Sequence, residues 1–384
     1  MTSSEGLDEP VVAAATPASV EGLPRQALER LRERIRSGGP FCIEGHGSKA
    51  FYGGEPRGEP LSTLDLNGVC AYEPSELYVT AAAGTPLVEL EALLAREGQQ
   101  LAFEPPRFSG SERGRGTVGG MVAAGLSGPA RATSGAVRDH VLGLSMLNGQ
   151  GELLHFGGTV MKNVAGYDVS RLMAGALGVL GLIVQVSLKV LPRPVATLTL
   201  RFELPQEQAL PELNRWGGQP LPISASAWWD GALVLRLSGA EAAVRAAAQK
   251  LGGDVIPEAM AAPFWEGLRD HEDEFFTGAR RAVQGGASMW RISVPATAPP
   301  MPLHGEQLIE WGGAQRWVVT PMAPAQLREM AAAVGGHATL FRANDKQAGV
   351  FAPLPPTLAR IHRELKTQFD PRGVFNPGRL CAEF

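Results

Sequence analysis

The stretch "RGRGTVGGMVAAGLSGP", Arg113 to Pro129, limits what this chain can fold into more than any other feature of it. Glycine loses more conformational freedom on folding than other residues, so it clusters where the backbone takes positive φ or where something approaches the main chain too closely for a side chain. Read literally, Gly114, Gly116 and Gly119 satisfy G-x-G-x-x-G, and Asp139 stands about 20 residues on, as in a dinucleotide-binding βαβ unit. That fingerprint needs a buried strand immediately before it. The preceding "EPPRFSGSER" carries Pro105, Pro106 and charges that a central strand excludes, and Asp139 precedes the next candidate strand instead of ending one. Two readings stay open: close packing of a helix on a sheet, or a ligand cradled by main chain. Two further glycine turns, Gly45–Ser48 and Gly175–Gly181, also sit beside apolar runs. Several such turns can converge on a diphosphate, because a nest of backbone N–H groups is an anion site.

With 384 residues the chain exceeds the roughly 250–300 at which single cores stop growing, so two or three domains are expected. A net charge of −4 with no Lys/Arg stripe gives nucleic acid nothing to bind and excludes it as a partner. Cys42, Cys70 and Cys381 lie far apart, which excludes a disulfide framework, a cysteine zinc site and a chain-held iron–sulfur cluster, and points to a reducing compartment. The start, "MTSSEGLDEPVVAAATPASVEG", is acidic where a signal peptide is basic, and no window approaches the roughly 20 apolar residues of a membrane span. The expected location is the cytoplasm.

Periodicity sketches the organisation. "LPRQALERLRERIRSGG" places Leu23, Ala27, Leu31 and Ile35 on one face of a helix that stops near Gly38. "PFCIEGHGSKAFYGG" reads as a short strand, a glycine turn and a loop, and "LYVTAAAGTPLVELEALLAREGQQL" as a strand, a turn at Gly84–Pro86 and an amphipathic helix. "HVLGLSMLNGQGELLHFGG" gives two strands around Asn148–Gly151, and "YDVSRLMAGALGVLGLIVQVSLKVLPRP" a short helix, a glycine turn and a strand ending at Pro192. After Pro194 the chain is richer in Pro and Trp. There "ATLTLRFEL", "ISASAWWDGALVLRLSG" and "QRWVVTP" read as strands, "EAAVRAAAQKLGG" and "AQLREMAAAVGG" as helices. The expectation is an α+β chain: a loose tail at 1–20, a first domain at 21–194, a second, smaller domain of sheet and helices at 195–350, and a C-terminal segment at 351–384.

Taken in order, Glu44-Gly-His-Gly-Ser48, "TVGGMVAAGLSGP", "SGAVRDHVLG", "LMAGALGVLG" and "FDPRGVFNPG" resemble the flavoenzymes of the vanillyl-alcohol oxidase or p-cresol methylhydroxylase (PCMH) type. Within that family, "GSKAFYGG", "VMKNVAGYDVSRLMAGALGVLG" and "GGHATLFRA" are similar to the FAD-binding E subunits of bacterial glycolate oxidases. The resemblance implies a two-subdomain PCMH-type FAD-binding domain at 21–194 and an α+β cap at 195–350, with 351–384, including Asn376, Pro377 and Gly378, returning to the FAD domain. It implies a first diphosphate loop at Glu44, Gly45, His46, Gly47 and Ser48, and a second at Gly116, Thr117, Gly119 and Gly120. Gly125, Gly135, Arg138 and Asp139 would follow the adenosine and flavin path, and Gly178, Gly181 and Ile183 would close the pocket. Where some relatives attach FAD through a histidine just before the loop serine, this chain has Gly47, with His46 one residue earlier, so FAD is expected to be held non-covalently. The metal-binding cap run of hydroxy-acid-oxidising relatives is replaced by Gly336-His337-Ala338-Thr339-Leu340, and no metal is expected.

The resemblance further implies oxidation of a 2-hydroxy acid, glycolate, to glyoxylate. The implied partners are a D-type flavoprotein subunit and an F-type iron–sulfur subunit, and the inner membrane would be met only through that complex. Such chemistry needs a base, a hydride path and a cation for the carboxylate. Lys162, Tyr167 and Arg342 are the candidates for these contacts, with a loop-fixing Lys162–Asp168 pair as the alternative. "HEDEFF", His271–Phe276, contains metal-type ligands but reads as a charge run at an exposed helix end, and Trp228 and Trp229 read as packing inside the cap. Three functions stay open: a complex subunit, a self-sufficient FAD dehydrogenase of another 2-hydroxy acid or alcohol, and a structural subunit without turnover.

Overall fold

The apolar run Leu182–Lys189, rich in branched residues, is the middle strand of a five-stranded antiparallel sheet in the computed structural model, which describes residues 22–109, 114–160 and 167–384. The strand order is Val69–Glu73, Tyr78–Ala82, Leu182–Lys189, Val141–Leu147, Leu153–Gly157. Covered on both sides, the middle strand has its polar residues satisfied internally: Ser187 Oγ lies 2.8 Å from Thr80 Oγ1 on the neighbouring strand. The helix Arg25–Ser37 buries Ala27, Leu28, Leu31 and Ile35 in a cluster with Leu182, Val184, Phe41 and Phe375, so Leu28 widens the stripe read from the sequence. Gly38, at φ +110°, ends that helix.

The C-terminal segment closes onto this unit. Phe41–Glu44 pairs in parallel with Glu59–Ser62, and Phe41 also bridges Phe375. After the helix Pro356–Phe369, the buried Lys366 Nζ donates to Val179 O (2.7 Å), Phe375 O (3.0 Å) and Asp370 Oδ2 (2.7 Å). Asp370 in turn accepts from the main-chain N–H groups of Val374 (3.0 Å) and Phe375 (2.9 Å).

Residues beyond Pro194 build a larger sheet of eight antiparallel strands, ordered Asp254–Ile256, Ala196–Glu203, Ala232–Gly239, Ile223–Trp229, Glu306–Glu310, Gln315–Thr320, Ser288–Ser293, His337–Arg342. Periodicity missed four of these strands, Asp254–Ile256, Glu306–Glu310, Ser288–Ser293 and His337–Arg342, and the last two pair across a register shift between Met289 and Trp290. Tyr52, Phe108 and Leu177 from the first unit share one apolar cluster with Phe276, Trp317 and Phe341 from the second.

The His271–Phe276 run is not the exposed helix end that its charges suggested. His271 takes a left-handed conformation (φ 57°) where the helix Glu258–Asp270 ends, and Asp273 caps the next helix, Glu274–Gln284. This sharp corner turns the imidazole inward, stacked on Phe276 at 3.7 Å and ringed by Phe108, Trp317 and Phe341. Burial, then the nearby guanidiniums of Arg342, Arg280 and Arg291, hold it well below the usual histidine range. No cluster of metal-type ligands occurs among the described residues. Trp228 donates to Leu204 O (2.8 Å) and Trp229 to Glu306 Oε1 (2.9 Å), both partners lying beyond Pro194. His337 opens its strand at an exposed position.

One buried carboxyl makes stability depend on pH. Burial pushes Glu310 up to about 7 despite hydrogen bonds from Trp317 Nε1 (2.6 Å) and Gln315 Nε2 (3.0 Å). Its folded value stands above its ordinary 4.5, so its contribution to stability is full below that pH and is lost as pH rises through about 7. Glu310→Gln is expected to flatten the decline over this window and raise the melting temperature above it, as measured by thermal unfolding across a pH series.

Candidate functional site

Two glycine turns from distant parts of the chain face each other across one crevice. Glu44, Gly45, His46, Gly47, Ser48, Gly116, Thr117, Gly119, Gly120, Gly178, Gly181 and Ile183 all line it. The space they bound, open solvent at its mouth included, is about 950 Å³. The turns touch: a Cβ on Gly45 would lie 2.4 Å from Thr117 Oγ1, and His46 Nδ1 lies 3.0 Å from Gly116 O. Only side-chain-free backbone permits this approach.

The two turns differ in what their N–H groups do. In the second, Val118 N donates to Thr85 O (3.0 Å), Gly119 N to Ala83 O (2.8 Å) and Gly120 N to Thr117 Oγ1 (3.2 Å). A Cβ on Gly119 would lie 2.7 Å from that of Ala83, so this glycine is required by packing against the sheet. Close packing and ligand access thus divide the glycine run between them. In the first turn, Gly47 sits at φ +73°, and among the described residues the N–H groups of Gly47, Ser48 and Lys49 donate no hydrogen bond. Consecutive main-chain N–H groups left unbonded are the kind of donors from which anion sites are built.

Residues outside the predicted cofactor set complete the walls, among them Asn376, which the sequence placed only on the segment returning to this domain. Asn376, buried at φ 43°, accepts from Ile43 N through Oδ1 (2.6 Å) and donates through Nδ2 to Leu177 O (2.6 Å). It clamps the strand entering the first turn to the loop before Gly178, where a Cβ would lie 2.6 Å from Asn376 Nδ2. Arg379 donates to the carbonyls of Ala50 (3.1 Å), Tyr52 (2.5 Å) and Gly54, fixing the chain after the turn. Lys49 lines the crevice with a buried Nζ that has no hydrogen-bond partner among the described residues, and burial lowers it to about 8 against the pull of Asp270. The sequence signal for Lys49 was its place directly after Gly-His-Gly-Ser; a search for missing side chains passes over it.

Other predicted positions lie elsewhere. Gly125 (φ 64°) ends the helix Val118–Ala124, and its Cβ would meet Gly175 Cα at 2.8 Å. Gly135 (φ 88°) closes a helical turn, and Asp139 accepts from Ala136 N at 2.8 Å, while Arg138 and Asp139 are exposed. Gly125, Gly135 and Asp139 have local structural roles, and none of the four lines the crevice. Tyr167 is 97% exposed, and Lys162 lies outside the described residues. Asp168 caps the short helix Val169–Leu172 and pairs with Arg171 at 3.0 Å, so its partner among the described residues is not a lysine. Arg342 stacks on Phe51, its guanidinium carbon 3.3 Å from the ring centroid, and burial together with Arg280 brings it down to about 10. Residues 101–109 form no strand, which removes the dinucleotide βαβ reading of the glycine run.

Comparison with known proteins bears on this crevice. The FAD binding domain family matches residues 11–157. The chain is 49% identical to glycolate oxidase subunit GlcE of Escherichia coli (strain K12) across 93% of its own length and 97% of that protein. It is 33% identical to glycolate oxidase subunit GlcD of Bacillus subtilis (strain 168), across 42% of this chain and 34% of that one. A solved alkyldihydroxyacetonephosphate synthase superposes with a TM-score of 0.59 at 15% identity, covering 92% of this chain and 75% of that one, a likeness of fold alone. The α+β, PCMH-type FAD-binding architecture expected from the sequence agrees with these matches.

Proposed function

This chain belongs to the GlcE family of glycolate oxidase subunits, and from that premise we propose that it binds FAD in the crevice and serves a complex that oxidises glycolate to glyoxylate. The observation that carries the reading is the meeting of two side-chain-free turns around unbonded N–H groups in a chain so similar to that subunit. The first turn would hold the diphosphate, with Gly116, Thr117 and Gly120 opposite, and Gly178, Gly181 and Ile183 closing the far wall.

Bound FAD would supply a two-electron acceptor for the hydride leaving the hydroxyl-bearing carbon. This chain's contribution is to hold and orient. Arg342, a half-buried cation with no carboxylate partner among the described residues, is our candidate to bind the substrate carboxylate, on the cap formed by 195–350. Tyr167 and Lys162 remain proposed substrate contacts with no support from the crevice geometry. Non-covalent FAD is favoured because the His46 ring is engaged with Gly116 and burial pushes the Cys42 thiol, which also lines the crevice, away from its nucleophilic form.

Three cysteines are one short of the four thiolates that hold an iron–sulfur cluster, so electrons would pass to a D-type flavoprotein and an F-type iron–sulfur partner. No described helix is long and apolar enough to cross a membrane; contact with the inner membrane would come through those partners. The test is an absorption spectrum of the chain purified alone, before and after acid precipitation, followed by a glycolate assay with a dye acceptor. We expect a yellow protein that releases its flavin into the acid supernatant and turns over only when mixed with its partners. A colourless protein, or full activity alone, overturns the proposal.

A further inference from the structure

We propose that Lys49 is the counter-charge for the FAD diphosphate, a residue that reads the cofactor's phosphates and not its flavin ring. The inference rests on the FAD reading of the crevice. Lys49 Nζ is buried, lines the crevice and has no hydrogen-bond partner among the described residues, a costly state for an ammonium group unless an anion completes it. Asp270 is the acid whose charge acts on it, but that carboxylate is already shared by Arg269 (2.9 Å), Arg115 (3.3 Å) and Arg107 (3.4 Å). The Phe108 ring, 5.6 Å away, offers only a π face.

Position selects the phosphates. A Cβ on Gly116 would lie 3.1 Å from Lys49 Nζ, so the ammonium of the first turn stands against the second. The N–H groups of Gly47, Ser48 and Lys49 that donate no bond belong to the same turn. A flexible cation beside a main-chain nest recognises a diphosphate as a point charge, as lysine does in other phosphate sites.

The experiment uses flavin-free full-length chain and measures binding of FAD, ADP and riboflavin by calorimetry or fluorescence quenching. Lys49→Met is expected to weaken FAD and ADP by roughly 10–100-fold and leave riboflavin unchanged, with Lys49→Arg recovering most of the loss. Thermal unfolding without ligand checks that Lys49→Met folds, and Lys49→Gln replaces it if it does not. FAD and ADP affinities unchanged by removing the charge overturn the proposal, as does an equal loss for riboflavin. A wild-type chain that takes up no FAD overturns the function reading and this inference with it, so the two failures are told apart by the wild type.

Discussion

Asp370→Ala is expected to destabilise the protein by about 3–5 kcal/mol, because it strands the buried Lys366 ammonium without its counter-charge. Both side chains are shielded, Lys366 at 9% and Asp370 at 0% exposure, so water cannot replace the lost partner. The carboxylate also accepts from the N–H groups of Val374 and Phe375, and those donors would lose it together. The segment that carries Asn376 to the crevice would loosen, so FAD affinity should fall along with the urea midpoint. Replacing both partners by apolar residues of similar size, Lys366→Met with Asp370→Leu, should cost less than Asp370→Ala alone. A loss under 1 kcal/mol for Asp370→Ala in urea unfolding contradicts this account.

Gly120→Glu should abolish FAD binding, by roughly 100-fold or more, while leaving the fold intact. A Cβ there meets only Thr117 Oγ1, at 3.2 Å, and the position lines the crevice, so the new carboxylate would share space with the diphosphate. Gly119→Ala makes the contrast. Its methyl group would press on Ala83 at 2.7 Å, which predicts lost stability of about 1–3 kcal/mol. Neighbouring glycines thus separate ligand repulsion from overpacking, with flavin titration reading one and denaturation the other. Equal stability losses in the two variants would contradict the assignment.

The glycine turns were legible in the sequence because missing side chains leave a compositional mark, and Gly45–Ser48, Gly116–Gly120 and the wall at Gly178 and Gly181 do meet in one crevice. The reason for each glycine was not legible. Gly119 faces Ala83 and Gly125 faces Gly175, contacts set by tertiary approach that no spacing rule encodes. Lys49 escaped notice because a lysine near a turn is ordinarily solvated, and only the fold reveals an ammonium left without an acceptor among the described residues. His271 misled for a similar reason: its charged neighbours signalled solvent, while a left-handed corner at φ 57° turned its ring into aromatic packing.

The Asn376 clamp has a consequence for biosynthesis. The walls it joins come from residues near 43 and 177, yet the clamp itself is translated some two hundred residues after the later of them. A nascent polypeptide that has not yet reached that asparagine holds the two walls without this clamp, so the last fastening of this side of the crevice waits on a segment made long after the walls themselves.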